Sequence, residues 1–485
     1  MNLRARNCLC IKLKCLYFLF VITLLVSGCN FPAMAPEGAQ IEGTVAQETV
    51  DGEVPIKRTQ ALSTEESEIV EEMVMPEETK VSGSGVLESQ VQRDLDPQVT
   101  DGEMLNLVIG NNAFAMDFYQ QVSQEDGNLF FSPYSLSIAL AMTYAGASGE
   151  TEQQMAQALH FDLPRETLHQ AFNALDLDLS SRASGTEDLG DAQAFQLNIA
   201  NALWGQRGYP FLAQFIDQLA LNYGAGLRLV DFAQASEEAR LEINQWVEEQ
   251  TQGKIKDLIP EGIPLEMTRL VLTNAIYFKA DWQFPFTKEA TTQQPFNLLD
   301  GSQEQVEMMS QSDPRPLNYL AGDGFQAVEF PYVGDEVAML LLVPDTGQYV
   351  EFEKSFDSVR LDEIVAQLKE ERVSLHMPKF SFTKEITANE VLQALGMRDA
   401  FLPVSADFSG MDGTRDLFIQ YVLHKAFVAV DEKGTEAAAA TAVMMGKSAI
   451  MEPAVRLIID RPFIFLIRDK VSGSILFVGR YVGQQ

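Results

Sequence analysis

The chain has 485 residues, with 69 acidic and 35 basic side chains and a formal net charge of −34. Such a negative protein is excluded from the classes that bind polyanions through charge, namely nucleic-acid-binding proteins and proteins that dock on anionic membranes or heparin-like glycans. All four cysteines lie within the first 29 residues, so the remainder of the chain contains none and has no disulfide framework.

Residues 1–28 have the composition of a bacterial lipoprotein signal peptide. A basic leader precedes the apolar run Leu16–Val26, which is too short for a permanent membrane span. The run ends in Val26-Ser27-Gly28-Cys29, which resembles a lipobox; an ordinary signal peptide with an incidental cysteine is the alternative. We predict that Cys29 is acylated and that the mature protein is secreted and membrane-anchored, in the outer membrane or periplasm or at the cell surface.

Composition divides the remainder of the chain into two parts. Residues 29–103 are rich in Glu, Ser, Thr, Gly and Pro and show no sustained helical or strand periodicity. This predicts a lipidated cysteine followed by an acidic, disordered tether. Residues 104–485 are predicted to form one domain, which is large enough to be stable without disulfides.

The folded domain opens with helix signals. Thr100-Asp101-Gly102-Glu103 has the form of a capping box, and Ser132-Pro133 matches the N-cap and first position of a second helix. The nearly continuous apolar run Leu270–Phe278 predicts a central strand covered on both faces. Strand-like runs dominate after residue 325, with one helix predicted near Ala388–Leu395. Helices that lead and strands that follow indicate an α+β fold built on large mixed sheets.

Nothing in the sequence supports catalysis. The four histidines form neither an H-E-x-x-H motif nor a close cluster with Cys or Asp, and neither a nucleophile elbow nor a phosphate-binding loop is found. His160 and His169 lie among charged residues and are predicted to be solvated, whereas His424 is predicted to be a satisfied histidine on a strand. We expect no enzyme activity, no metal and no cofactor.

One stretch is ambivalent in its local preference. Glu436–Met445 contains four consecutive alanines, which favour a helix, but it has no apolar stripe to bury. Small residues on both faces would also let it fit as a strand into a narrow slot. It is therefore either an ordinary surface helix or a segment that changes state.

Seven stretches, in order along residues 104–485, resemble the serpin family. They are Asn128–Ser135, Trp246 with Thr251–Leu258, Leu272–Phe278, His376–Phe380, Val422–Ala426, Asp431–Met445 and Arg461–Phe463. The resemblance implies three β-sheets, eight or nine helices and an exposed reactive loop. It also implies suicide inhibition of serine proteases, and sometimes of cysteine proteases. In that mechanism the cleaved loop inserts into the main sheet as a new central strand and traps the acyl-enzyme.

The resemblance also assigns the hinge of the reactive loop. The hinge residues are Glu432, Gly434, Thr435, Glu436, Ala437, Ala438, Ala439 and Ala440. Gly434 is expected to supply conformational freedom. Side chains alternate along a strand, so insertion would point Thr435 and every second residue after it into the core. That inward set carries no charge, and Glu436 falls on the outward set.

Two further sites follow from the resemblance. Ser132, Ser135, Asn274 and His424 are assigned to a hydrogen-bond network in the region where the main sheet opens. Counting from Glu432 with the usual loop length of the family implies a reactive bond between Ser448 and Ala449.

The residues around the predicted reactive bond are compatible with more than one class of target protease. Lys447 is the alternative acyl-side residue and would suit a trypsin-like pocket. Met445 or Met451 would suit a chymotrypsin-like or elastase-like enzyme.

Two hypotheses follow. The first is a monomeric inhibitory serpin on a bacterial envelope, with a target serine or cysteine protease as its partner and a lipid anchor as its only membrane contact. The alternative is a non-inhibitory binding or carrier protein on the same fold. The chain lacks a basic helix, so we expect no heparin-like activator.

Overall fold

Helices occupy the first half of the folded chain and strands most of the second half, as the sequence predicts. A computed structural model describes residues 80–81, 85–182, 196–435 and 454–484. The predicted signal peptide, Cys29 and most of the predicted tether lie outside these residues.

The described residues contain ten α-helices. They are α1 Asp101–Val122, α2 Pro133–Tyr144, α3 Gly149–Leu159, α4 Arg165–Arg182, α5 Ala213–Tyr223, α6 Ser236–Gln250, α7 Tyr349–Lys354, α8 Ser358–Gln367, α9 Asn389–Ala394 and α10 Ser409–Asp412. The last of these is a single turn of four residues, so the number lies close to the eight or nine that the resemblance implied.

Strands from both ends of the chain meet in the sheets. In order they are β1 Lys80–Val81, β2 Val86–Glu88, β3 Leu129–Phe131, β4 Gln196–Gln206, β5 Leu227–Val230, β6 Leu270–Asp281, β7 Thr292–Asn297, β8 Gln303–Ser310, β9 Arg315–Ala321, β10 Phe325–Pro331, β11 Val337–Pro344, β12 Lys369–Pro378, β13 Phe380–Thr387, β14 Tyr421–Val430, β15 Gly434–Thr435, β16 Val455–Ile458, β17 Phe463–Asp469 and β18 Ile475–Tyr481.

Both predicted helix starts are confirmed. At α1, Thr100 Oγ1 accepts from the Glu103 N–H at 3.3 Å and Glu103 Oε2 accepts from the Thr100 N–H at 2.8 Å, which completes the capping box. At α2, Ser132 Oγ accepts from the Ser135 N–H at 3.1 Å, and every residue of the helix is buried. A helix that is apolar all round must lie inside the core, so α2 fixes the centre of the domain.

The described strands form two hydrogen-bonded sheets. The main sheet has the order β1-β2-β5-β4-β6-β15-β14-β13, and the second follows β3-β18-β17-β11-β10-β9-β12-β8-β7, with β16 beside β12. Two sheets rather than the implied three are distinguished because β12 is shared. It pairs with β9 at its start, with β16 in its middle and with β8 at its end.

The run Leu270–Phe278 forms the middle of β6, which is a central strand as predicted. Its alternate side chains pack into two separate apolar clusters. Leu272 and Ile276 join the large core that includes α2, whereas Val271 and Ala275 join a smaller cluster with α6 on the opposite face. The period-two alternation of a strand therefore places helices over both faces of the main sheet.

The predicted boundary of the tether at residue 103 is wrong for residues 85–100, which we call the N-terminal segment. Val86 is buried, and β2 pairs with β5 at the edge of the main sheet. Further along, Arg93 forms an ion pair with Asp176 of α4 at 2.7 Å. The polar composition of the segment predicted disorder, but a few residues such as Val86 and Arg93 are enough to hold it on the folded domain.

Candidate functional site

The predicted hinge begins between two central strands of the main sheet. Gly434 and Thr435 form β15, in which Gly434 pairs with Asp281 and Thr435 pairs with Ala280 of β6. On its other side, Thr435 pairs with Val430 of β14. Both pairings are antiparallel, so Thr435, the first residue of the predicted insertion path, already lies in the position of a new central strand.

Beyond the hinge, β6 and β14 contact each other directly. They pair in parallel from Val271 and Tyr421 to Tyr277 and Phe427. The two strands diverge after this last pair, which leaves the space that β15 fills. We call the direct pairing the β6–β14 joint, and insertion of a longer strand must separate it.

Gly434 is required for space rather than for conformational freedom, which corrects the expectation from sequence. Its φ is not among the positive values found at other glycines. A Cβ at Gly434 would lie 2.2 Å from the Ala280 carbonyl oxygen and 2.7 Å from Asp281 Cα. The glycine therefore permits a close approach between the hinge backbone and β6.

Gly434→Ala is expected to push the hinge away from β6 and to destabilise the native protein by about 1–3 kcal/mol, because backbone atoms cannot move aside as a side chain can. A fall in Tm would measure the effect. The matched control is Gly102→Ala in the first turn of α1, where nothing lies within 4 Å of the added Cβ and φ is not positive. If Gly434→Ala lowers Tm no more than the control, the close approach is unimportant.

Aromatic side chains hold the first inward residue. Thr435 is only 1% exposed, and its hydroxyl lies 2.8 Å from the Tyr332 hydroxyl. The Tyr332 ring stacks on Trp282 with ring centres 4.4 Å apart. Trp282 also donates its indole N–H to the Asp431 carbonyl at 3.0 Å. Burial raises the pKa of Tyr332, so its hydroxyl stays protonated beside Thr435.

Glu432 anchors the strand end that precedes the hinge. Its carboxylate accepts from Lys379 Nζ at 3.0 Å and from Thr291 Oγ1 at 2.8 Å. Its carbonyl oxygen accepts from the Phe286 N–H at 2.8 Å. Burial acts to raise the pKa of Glu432, but hydrogen bonds from its own backbone, Lys379 and Thr291 outweigh it and hold the pKa below the usual value. The base of the loop is thus fixed by charge-assisted bonds.

The four residues assigned to the sheet-opening network lie together and are fully buried. His424 Nε2 accepts from the Ser132 N–H at 3.1 Å, and Nδ1 forms a short hydrogen bond to Asn274 Oδ1. Asn274 Nδ2 donates to Ser135 Oγ at 2.7 Å and to Asn201 Oδ1 at 2.7 Å. The network therefore connects β14, β6, β4 and α2 across the β6–β14 joint.

Burial lowers the pKa of His424 to about 3, so the imidazole is neutral at neutral pH. Because Nε2 accepts a backbone N–H, the proton resides on Nδ1 and points to Asn274. Protonation of Nε2 would place two donors against each other and break the bond to Ser132. This histidine is fixed as a hydrogen-bonding element of the joint and is shielded from solvent.

Of the two histidines predicted to be solvated, His160 is partly exposed and His169 is not. His160 is partly exposed and forms an ion pair with Asp117 at 2.7 Å. His169, predicted to be solvated, is instead buried, and its Nδ1 lies 2.7 Å from the Tyr223 hydroxyl. The prediction was wrong because the His169 side chain lies on the face of α4 that packs against α5, whereas the charged side chains near it in sequence lie on the other faces.

Several predicted site residues lie outside the described residues. They are Glu436, Ala437, Ala438, Ala439, Ala440, Lys447, Ser448 and Ala449. Conversely, Tyr332, Trp282, Lys379 and Asn201 were not predicted as site residues. Their contacts with the hinge or the network span long separations in sequence, so no local motif signals them.

A family profile described as Serpin (serine protease inhibitor) matches residues 109–483. Among curated relatives, the leukocyte elastase inhibitor of Xenopus laevis is 40% identical over 385 residues, which cover 78% of this chain and 99% of that protein. Among solved structures, the native state of tengpin, a thermophilic serpin, aligns with a TM-score of 0.70 and 27% identity over 81% of this chain and 98% of tengpin.

A second solved structure bears on function. Human thyroxine-binding globulin aligns with a TM-score of 0.68 and 30% identity, over 79% of this chain and 99% of that protein. The same fold is thus found in proteins whose names describe protease inhibition and in one whose name describes hormone binding.

Proposed function

This chain belongs to the serpin family, and from that premise we propose that it inhibits a serine protease as a suicide substrate. The serine hydroxyl oxygen of the protease attacks the carbonyl carbon of Ser448, and an ester forms as the bond to Ala449 breaks. The amine of Ala449 leaves with a proton. The freed hinge side of the loop then inserts between β6 and β14 and carries the protease away from its starting position.

The position of β15 is the observation that carries this proposal. Thr435 already pairs with both neighbouring strands and Gly434 pairs with β6, so insertion only has to extend an existing strand. Fourteen residues, from Thr435 to Ser448, would move the attached protease by about 45 Å at roughly 3.3 Å per residue. Each new ladder hydrogen bond contributes about 0.5–1.5 kcal/mol net, and the new strand gains them on both sides.

The test is incubation with a panel of trypsin-like, chymotrypsin-like and elastase-like proteases. We expect an SDS-stable complex with at least one of them. The C-terminal fragment, separated by denaturation and identified by mass spectrometry, should begin at Ala449. A peptide that begins at Ser448 would move the acyl-side residue to Lys447. Cleavage by every protease without any stable complex would contradict inhibition.

The second candidate is a non-inhibitory binding or carrier protein on the same fold, which the likeness to thyroxine-binding globulin favours. Measurement of Tm before and after cleavage of the loop distinguishes the two. Insertion should raise Tm by tens of degrees, because the sheet gains a fully paired central strand. A cleaved protein whose Tm is unchanged would favour the carrier function.

We further propose that the protein is a bacterial lipoprotein, tethered through acylated Cys29 and acting at the cell envelope. Among the described residues, none of the helices has the length and apolar character needed to cross a bilayer. The predicted anchor is tested by labelling bacterial cells that express the chain with a fatty acid. Wild type should carry label and Cys29→Ser should not; label that persists in the variant would overturn acylation at this site.

A further inference from the structure

The N-terminal segment precedes the region that matches the family profile, which begins at residue 109, yet it is bonded to two separate parts of the domain. We propose that this segment is an intramolecular brace that slows the opening of the main sheet. The inference rests on the proposed loop-insertion function, because only insertion requires the sheet to open.

One end of the segment is part of the sheet. The Leu229 N–H donates to the Gly85 carbonyl at 2.8 Å, and Val86 pairs with Arg228 of β5. The approach is close, since a Cβ on Gly226 would lie 2.7 Å from Val86 Cγ1. Any movement of β5 must therefore carry this end of the segment with it.

The other end is fixed to a helix. Arg93 donates from Nη2 to Asp176 Oδ2 at 2.7 Å and from Nε to Asn173 Oδ1 at 2.8 Å, and both partners lie on α4. Asn173 Nδ2 donates in return to the Asp94 carbonyl at 2.7 Å. Arg93 and Asp176 are each less than one third exposed, so solvent weakens this pair less than it weakens a surface pair.

These two attachment points belong to bodies that must separate. Strands β2, β5, β4 and β6 are hydrogen bonded in series and form one side of the β6–β14 joint. On the other side, β14 and β13 pack on β3, and β3 pairs with β18. Helices α1 and α2 pack on β18, and α4 packs on α1. Helix α2 also packs on β4 and β6, so the first body must slide over α2 when the joint opens. Opening the joint therefore displaces β5 relative to α4, and the N-terminal segment spans that displacement.

The interface along which the two bodies would slide is loosely filled. A cleft of about 160 Å³ that is partly open to solvent lies there, lined by Ile138 and Met142 of α2, Ile199 and Asn201 of β4, and Asp176 of α4. The lining atoms that face the cleft lack protein contacts that would resist sliding. Asp176, the partner of Arg93, lines this cleft, so their ion pair supplies a contact that the cleft itself does not.

The test uses the full chain and measures spontaneous conversion to the loop-inserted form, as the loss of inhibitory activity and the gain of a high-Tm species during incubation at raised temperature. Arg93→Ala is expected to convert about tenfold faster than wild type, which corresponds to about 1.4 kcal/mol of barrier. Val91→Ala, an exposed site in the same segment, should convert at the wild-type rate.

Charge exchange separates the ion pair from general damage to the fold. Arg93→Glu alone should convert faster still, and Arg93→Glu combined with Asp176→Arg should return most of the way to the wild-type rate. If Arg93→Ala converts at the wild-type rate while wild type inhibits protease and gains Tm on loop cleavage, the brace is overturned and the proposed function stands. If wild type neither inhibits nor gains Tm, both are overturned.

Discussion

Thr435→Arg is expected to turn the protein from an inhibitor of its target protease into a substrate. Thr435 is buried between β6 and β14, and its hydroxyl contacts the hydroxyl of Tyr332. An arginine could stay exposed in the uncleaved protein if the end of the hinge withdrew from the sheet, but insertion of the cleaved loop would bury its unpaired guanidinium, which costs several kcal/mol. Deacylation would then overtake insertion, and cleaved inhibitor would accumulate without an SDS-stable complex.

The control variants separate charge from other effects at Thr435. Thr435→Val keeps the shape and buries no charge, so it should still inhibit, with a stability loss of about 1–3 kcal/mol from the unpaired Tyr332 hydroxyl. Glu436→Arg changes the next residue, which strand alternation predicts to face outward, and it should inhibit like wild type. Full inhibition by Thr435→Arg would mean that the loop does not insert along this path.

Acid is expected to destabilise the protein through His424. Burial lowers the pKa of His424 to about 3 from an ordinary value near 6.5, a difference that corresponds to about 5 kcal/mol. The unfolded chain binds the proton first, so this stability is complete above pH 6.5 and is lost as the pH falls toward 3. His169, whose pKa burial lowers to about 4, acts in the same direction.

The measurement is Tm at pH 7 and at pH 4 for wild type and His424→Gln. Glutamine can still accept from the Ser132 N–H but does not titrate, so its Tm should fall by about 3–5 °C less than that of wild type. His160→Gln is the control of opposite sign. A hydrogen bond to Asp117 raises the pKa of His160, so its stability is complete below pH 6.5 and is lost as the pH rises. Equal losses in wild type and His424→Gln would exclude His424 as a source of acid sensitivity.

Local signals in the sequence were sufficient wherever one short stretch determines its own structure. The capping box at Thr100 and the Ser132-Pro133 start each depend on neighbours within one helical turn. By contrast, α5 follows Leu212, which offers no side-chain cap, and no local sequence pattern predicted this helix. Its position depends on packing against α4 and on contacts with the N-terminal segment.

In the candidate site, too, some contacts could be predicted from the sequence and others could not. Family resemblance brought together Ser132, Asn274 and His424, which the structure joins by direct hydrogen bonds. It did not indicate that Tyr332 would contact Thr435, because that pair is separated by 103 residues and neither position has a local pattern that signals the other. It also gave the wrong physical reason for Gly434. A glycine is needed there because the backbone of β6 leaves no room for a Cβ.

Strand direction at the β6–β14 joint has a thermodynamic consequence. Among the neighbours β4, β6, β14 and β13, the joint is the one parallel pairing, while β4–β6 and β13–β14 are antiparallel. A strand that extends β15 would run antiparallel to both of its neighbours. Parallel ladders have slanted bonds and are slightly less stable per residue. Insertion would therefore replace the one parallel pairing, between β6 and β14, with two antiparallel pairings. Part of the free energy that favours insertion thus comes from the strand order of the uncleaved protein.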